Sequence, residues 1–103
     1  MSVQTEIDVV IDEKISKKVE PPKKFHVILL NDDKTPIDWV VEILIEIFRH
    51  SEYTAQELTL KIHEEGSAVV GTYNYEIAEQ KLFETVKLSR DQGFPLSAKL
   101  EEE

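Results

Sequence analysis

The most constraining feature of this sequence is an apolar run, residues 25–30, that stops at three consecutive polar residues, Asn-Asp-Asp at positions 31–33. A run of six residues, of which five are aromatic or aliphatic and one is histidine, is typical of a buried strand when Asn and Asp follow it. A helix start follows at once, since Thr35 can act as an N-cap and Pro36 suits the first helical position. The sequence therefore predicts a buried strand that is followed directly by a helix.

Five elements follow the first strand along the chain. The first helix should run to about His50 and be buried on more than one side, because it has few polar positions. The second helix should begin at the capping box Thr54–Glu57 and end at Gly66, and a strand with a bulge at Gly71 should follow from Ser67 to Tyr73. The third helix should run from Asn74 to about Asp91 and end before Gly93. A short strand from Leu96 to Leu100 should precede the acidic terminus.

The predicted order β-α-α-β-α-β gives an α+β fold, a single small domain with a three-stranded sheet packed against three helices. The chain has 103 residues, which is enough for one core but not for two. Residues 1–24 should form a flexible N-terminal extension, because their charges are mixed and Pro21 and Pro22 impose extended backbone before residues 25–103.

The charge of the chain is concentrated on the predicted domain. The net charge is −9, yet residues 1–24 contain five acidic and five basic residues, whereas residues 25–103 contain sixteen and seven. A negative field opposes binding to nucleic acid and to anionic membranes and favours cationic ligands. Simple solubility is the alternative explanation for most of these charges.

Composition also limits the location and the chemistry. There is no cysteine, so disulfides, thiolate catalysis and cysteine-bound zinc are excluded, and a reducing compartment such as the cytoplasm is expected. No apolar stretch approaches the roughly 20 residues of a membrane span. Acidic residues interrupt the N-terminal apolar residues, so a secretory signal peptide is not expected.

Two groups of residues are candidates for binding. Asn31, Asp32 and Asp33 are most often simply a turn, but they also place amide and carboxylate acceptors where a strand meets a helix. A lone histidine such as His63 is usually structural or exposed, yet helical spacing puts it on one face with Thr59 and Ile62. Acceptors beside an apolar patch suit an amine attached to a hydrophobic group.

Catalysis is not expected. The chain has no recognisable nucleophile motif, no glycine-rich phosphate loop and no histidine pair with metal-binding spacing, so we predict no catalytic residue, no metal and no cofactor.

Four segments resemble the ClpS adaptors in order and spacing: residues 25–36 (FHVILLNDDKTP), 62–66 (IHEEG), 71–81 (GTYNYEIAEQK) and 93–96 (GFPL). The likeness covers about residues 22–101. It implies a monomeric adaptor of the N-end rule, which binds substrate proteins that begin with Phe, Leu, Trp or Tyr and delivers them to a Clp ATPase of the ClpA or ClpC type for degradation by ClpP.

The resemblance also implies residue roles. Asn31, Asp33 and His63 would hold the α-amino group, with Asp32 supporting them. The side-chain pocket would be lined by Leu30, Thr35, Ile37, Val40, Thr59 and Ile62. On the exposed face of the third helix, the residues expected to meet the ATPase are Glu76, Glu79 and Lys81.

Two pocket positions depart from the family. Ile37 and Thr59 stand where members of the family commonly have methionine, so one wall is stiffer and the other leaves more room. We therefore expect aromatic first residues to bind at least as well as Leu.

Three other functions remain open from the sequence. The domain could regulate a Clp ATPase without reading N-termini, it could be an RNA- or ribosome-associated module, or it could be a hydrolase built on Asp32 and His63. The charge of −9 opposes the RNA-associated module, and a hydrolase would have to turn over some substrate.

Overall fold

The computed structural model describes residues 21–103. Residues 1–20, most of the predicted extension, lie outside the described part of the chain. The elements are β1 (Lys24–Leu30), α1 (Ile37–Glu46), α2 (Glu52–Glu65), β2 (Ser67–Asn74), α3 (Tyr75–Asp91) and β3 (Ser97–Glu102). The predicted order β-α-α-β-α-β, with three helices and a three-stranded sheet, is confirmed.

Strand β1 is the centre of an antiparallel sheet with the order β2-β1-β3. Its position explains the continuous apolar run, because Val27, Ile28 and Leu29 are all buried. Helix α3 packs against all three strands, and α1 and α2 pack against each other to complete the core. Because β1 is paired on both sides, only its ends meet solvent. The residues after Leu30 therefore leave the sheet at its centre.

The start of α1 differs from the prediction. Thr35 does not cap this helix, because its hydroxyl group donates a hydrogen bond to Asp32 Oδ2 at 2.8 Å. Pro36 occupies the cap position with extended backbone, and the amides of Trp39 and Val40 donate to its carbonyl oxygen. The helix also ends at Glu46, earlier than the predicted His50.

Helix α2 begins about one turn earlier in the sequence than predicted. Its N-cap is Ser51, whose hydroxyl oxygen accepts a hydrogen bond from the Thr54 amide at 3.1 Å. The predicted capping box is therefore wrong: Thr54 lies inside the first turn, because Ser51 is an equally good cap located earlier. The predicted end is confirmed, since Gly66 adopts the left-handed conformation with φ of 93°.

Strand β2 contains the predicted bulge, displaced by one residue. Val27 pairs with Gly71 and Ile28 pairs with Val69, which leaves Val70 as the extra residue. The His50 ring donates a hydrogen bond from Nε2 to the Val70 carbonyl oxygen at 2.6 Å, so this histidine supports the bulge and does not end a helix as predicted. A side chain at Gly71 would collide with the ring of Tyr73, which explains the glycine beside the bulge.

The other predicted boundaries are close to those observed. Asn74 caps α3 by accepting a hydrogen bond from the Ile77 amide at 3.1 Å, as predicted. Strand β3 runs to Glu102, beyond the predicted Leu100, because Glu101 and Glu102 pair with the start of β1. Acidic residues at the end of a strand on the sheet edge are tolerated, since their side chains remain in solvent.

Candidate functional site

A pocket of about 270 Å³ opens where the end of β1 meets the start of α1 and the C-terminal end of α2. The sheet register explains this convergence, because Leu30 pairs with Ser67, just after α2, and with Ser97, at the start of β3. The pocket is lined by Leu30, Asn31, Asp32, Asp33, Thr35, Ile37, Val40, Thr59, Ile62, His63 and Leu96. All ten residues predicted for the amino-group site and the apolar pocket are therefore brought together.

The loop that forms one side of the mouth is organised by Asp32. Its Oδ1 accepts hydrogen bonds from the amides of Lys34 at 2.8 Å and Thr35 at 2.7 Å, and its Oδ2 accepts one from the Thr35 hydroxyl. Burial acts to raise the pKa of Asp32, but these hydrogen bonds and the charge of Arg90 lower it more, so the pKa lies below its ordinary value. Asp32 therefore fixes the loop as an ionised carboxylate with its acceptors largely engaged.

The neighbouring acceptors at the mouth are arranged differently. Asn31 is tied through its backbone, because its amide donates to the Gly66 carbonyl oxygen at 2.9 Å and so joins the loop to the end of α2. The side chains of Asn31, Asp33 and His63 are exposed. Within residues 21–103, they form no hydrogen bond with another side chain or backbone group. An amide oxygen, a carboxylate and an imidazole thus remain available to a ligand at the mouth.

The wall of the pocket is apolar. Val40 from α1 and Ile62 from α2 are buried, and Leu30 is half-buried. Thr59 is also buried, and its hydroxyl donates to the Ala55 carbonyl oxygen at 2.7 Å, so it gives the pocket no free donor. Ile37 is 56% exposed and lies at the mouth, where a ligand would cover it.

Leu96 is the lining residue that the sequence analysis missed. It is almost fully buried, and the Arg90 guanidinium donates to the carbonyl oxygens of Pro95 at 3.5 Å and Leu96 at 3.3 Å. The sequence showed an apolar residue after a proline, but only the pairing of β3 with β1 places that residue beside Leu30. Knowledge of the strand order would have been needed to find it.

The residues predicted to meet an ATPase do not all share one exposed surface. Glu76 and Glu79 are exposed on α3. The exposure predicted for Lys81 is wrong: it is half-buried, and its ammonium group donates to the Ile47 carbonyl oxygen at 2.8 Å and lies 5.4 Å from the centre of the Tyr73 ring. A cation at the carbonyl end of α1 is stabilised by the unpaired carbonyl groups there.

Residues 21–103 offer no alternative metal-binding or membrane-spanning feature. This part of the chain contains no group of three or more His, Asp or Glu side chains placed to bind a metal ion. None of its helices is long and apolar enough to cross a membrane.

Comparisons with known proteins agree with this geometry. The family model described as ATP-dependent Clp protease adaptor protein ClpS matches residues 20–99. The ClpS adapter protein of Treponema denticola is 46% identical over 87 residues, which cover 84% of this chain and 86% of that protein. The protein of the same name from Nautilia profundicola is 51% identical over 81 residues, 79% of this chain and 84% of that one.

A solved structure is similar as well. Agrobacterium tumefaciens ClpS2 bound to L-phenylalaninamide is 42% identical, with a TM-score of 0.78 over 81% of this chain and all of that one. The chain thus belongs to the ClpS family of ATP-dependent Clp protease adaptor proteins.

Proposed function

We propose that this protein is a cytoplasmic adaptor that binds substrate proteins through a large hydrophobic N-terminal residue and delivers them to a Clp ATPase for degradation by ClpP. The single observation that carries the proposal is the pocket itself, in which three available acceptors adjoin an apolar wall. The proposal combines that geometry with the family to which the chain belongs.

The acceptors suit a protonated α-amino group. A primary ammonium has three hydrogen-bond donors and one positive charge, and Asn31, Asp33 and His63 supply three acceptors of which one is a carboxylate. Asp32 supports them indirectly by holding the loop. The backbone of an internal peptide segment has no such cation beside a side chain, so the site would discriminate in favour of a chain end.

The wall suits the first side chain. Burying a Leu- or Phe-sized group against Val40, Ile62 and Leu96 is worth about 1.5–3 kcal/mol. The Agrobacterium tumefaciens ClpS2 structure contains L-phenylalaninamide. That molecule has a free α-amino group, a benzyl side chain and an amide in place of the first peptide bond, which is the chemistry that this pocket fits.

Delivery requires a second surface that contacts the ATPase, of the ClpA or ClpC type. We assign it to the exposed side of α3 that presents Glu76 and Glu79, with the 65% exposed Phe83 beside them. Lys81 acts there only indirectly, by holding α3 against the end of α1. The protein is expected to work as a monomer, since one copy supplies the whole pocket.

The test is a titration of two fluorescent decapeptides that begin with Phe, one with a free amino group and one N-acetylated. We expect binding of the free peptide only. Replacing Asp33 with Ala should weaken binding about ten- to hundredfold, because a hydrogen bond to a charged group is worth about 1.5–3 kcal/mol. Glu52→Ala is the matched control, since it removes one exposed carboxylate from the opposite end of α2.

Equal binding of the two peptides would refute the proposal. Absence of binding to either peptide, together with association with the ATPase that Asp33→Ala leaves unchanged, would instead indicate a regulator that docks on the ATPase without reading N-termini.

A further inference from the structure

A second groove of about 220 Å³ lies on the outer side of the pocket wall, between α1 and α2. It is lined by Ile37, Val41, Gln56, Thr59, Leu60 and His63. Leu60 is 55% exposed and faces this groove together with the exposed Ile37. Two large aliphatic side chains from neighbouring helices therefore form a small apolar surface that the described fold leaves uncovered.

The groove and the pocket share Ile37, Thr59 and His63, so a single layer of side chains divides them. His63 and Ile37 also border the mouth at which the α-amino group would be held. A chain anchored there by its first residue can thus pass over the dividing layer and continue along the groove.

The spacing of side chains along an extended peptide determines which substrate residue lies beside the groove. Successive side chains point to opposite sides, with a rise of about 3.3 Å per residue, so the first and third side chains share a face about 6.6 Å apart. Neighbouring side chains on a helix surface are separated by about 5–6 Å. With this spacing, the third side chain of an extended peptide would lie on the same side as the first and beside the groove, whereas the second would point away from the protein.

We propose that this groove binds an apolar third residue of the substrate, so that the protein reads two side chains of the N-terminus. The inference rests on the proposed function and extends the same site. The occupant is an aliphatic or aromatic side chain, because Leu60, Ile37 and Val41 offer apolar contact and Gln56 is the polar residue at the margin.

The experiment compares three fluorescent decapeptides with identical remaining sequences, which begin Phe-Ala-Leu, Phe-Ala-Ser and Phe-Leu-Ser. Anisotropy titrations should show about five- to tenfold tighter binding for Phe-Ala-Leu than for the other two, as expected when a leucine side chain is partly buried. Leu60→Ser should abolish this difference. Leu88→Ser is the matched control, since it changes an exposed helical leucine on α3 and should preserve the difference.

Equal affinity for the three peptides, a difference that survives Leu60→Ser, or a gain from leucine at the second position would each overturn the inference. The proposed function would still stand in these cases, because Phe-Ala-Ser would bind only with a free amino group. Loss of discrimination between free and acetylated Phe-Ala-Ser would refute the proposed function and the inference together.

Discussion

The loop at the mouth of the pocket should depend on Asp32 far more than on its neighbour Asp33. In Asp32→Ala, three hydrogen bonds are lost at once, from two amides and the Thr35 hydroxyl. A side-chain acceptor that satisfies backbone amides in this way is worth about 0.5–2 kcal/mol at helix starts. Since the carboxylate is only partly buried and solvent can replace part of the loss, we expect about 1–2 kcal/mol for the three together.

The pH dependence of stability provides an independent signature. The pKa of Asp32 is lowered in the folded protein, so the unfolded chain takes up its proton at the higher pH. The stabilisation is fully present above the unfolded pKa of about 3.9 and is lost as the pH falls through the folded value. The Asp32→Asn variant retains the size of the side chain but cannot ionise, so it should lose this acid-dependent contribution.

Urea unfolding monitored by Trp39 fluorescence would measure both effects, at pH 7 and at pH 3. Asp32→Ala should lower the free energy of unfolding at pH 7 and also weaken binding of a Phe-starting peptide, because the loop no longer holds Asn31 and Asp33 in place. Asp33→Ala should weaken binding with little change in stability. The reasoning fails if both variants are equally stable at pH 7, or if Asp32→Asn loses as much stability on acidification as the unmodified protein.

Two further predictions concern the core and the pocket. Ser89 is fully buried, and its hydroxyl oxygen accepts a hydrogen bond from the indole N–H of Trp39 at 2.9 Å. Ser89→Ala leaves that donor unpaired, so it should lower the free energy of unfolding in urea by about 1–3 kcal/mol. An unchanged free energy of unfolding would contradict this role. Peptides that begin with Phe, Trp or Tyr should bind at least as tightly as one that begins with Leu. Thr59→Met should shift the preference towards Leu by filling the pocket, whereas a clear preference for Leu in the unmodified protein would refute the prediction.

The sequence predicted the elements that have strong local signals. The apolar run of β1 and the stops at Gly66 and Gly93 are found as expected, since each follows from the backbone preferences of a few adjacent residues. Local pattern also indicated the polar residues 31–33 and the helical face that carries Thr59, Ile62 and His63. The remaining pocket residues were identified only through the resemblance to a family: Leu30, Thr35, Ile37 and Val40. Leu96 was missed because it reaches the pocket only through the pairing of the next residue, Ser97, with Leu30.

The wrong predictions for Thr35 and Lys81 have a common physical cause: a side chain can form a hydrogen bond with more than one partner. Thr35 has a side chain suited to an N-cap, but its hydroxyl group donates a hydrogen bond to the Asp32 carboxylate. The resemblance placed Lys81 on the exposed face of the third helix, but its ammonium group donates a hydrogen bond to the Ile47 carbonyl oxygen at the end of α1. In both cases the partner is a group whose position depends on the tertiary fold or on the loop conformation, so the sequence alone does not decide the outcome.

The same competition explains why two adjacent aspartates serve different purposes. Asp32 and Asp33 are chemically identical, yet the chain turns after β1 so that only the first faces the amides of Lys34 and Thr35. Once Asp32 has engaged those donors, the loop has no further amide that bonds to Asp33, and the second carboxylate stays exposed at the mouth of the pocket. A carboxylate without an internal partner gains the most from a cationic ligand, because it has no existing hydrogen bond to give up. The loop that Asp32 organises therefore leaves the Asp33 carboxylate available for the ammonium group that we propose it binds.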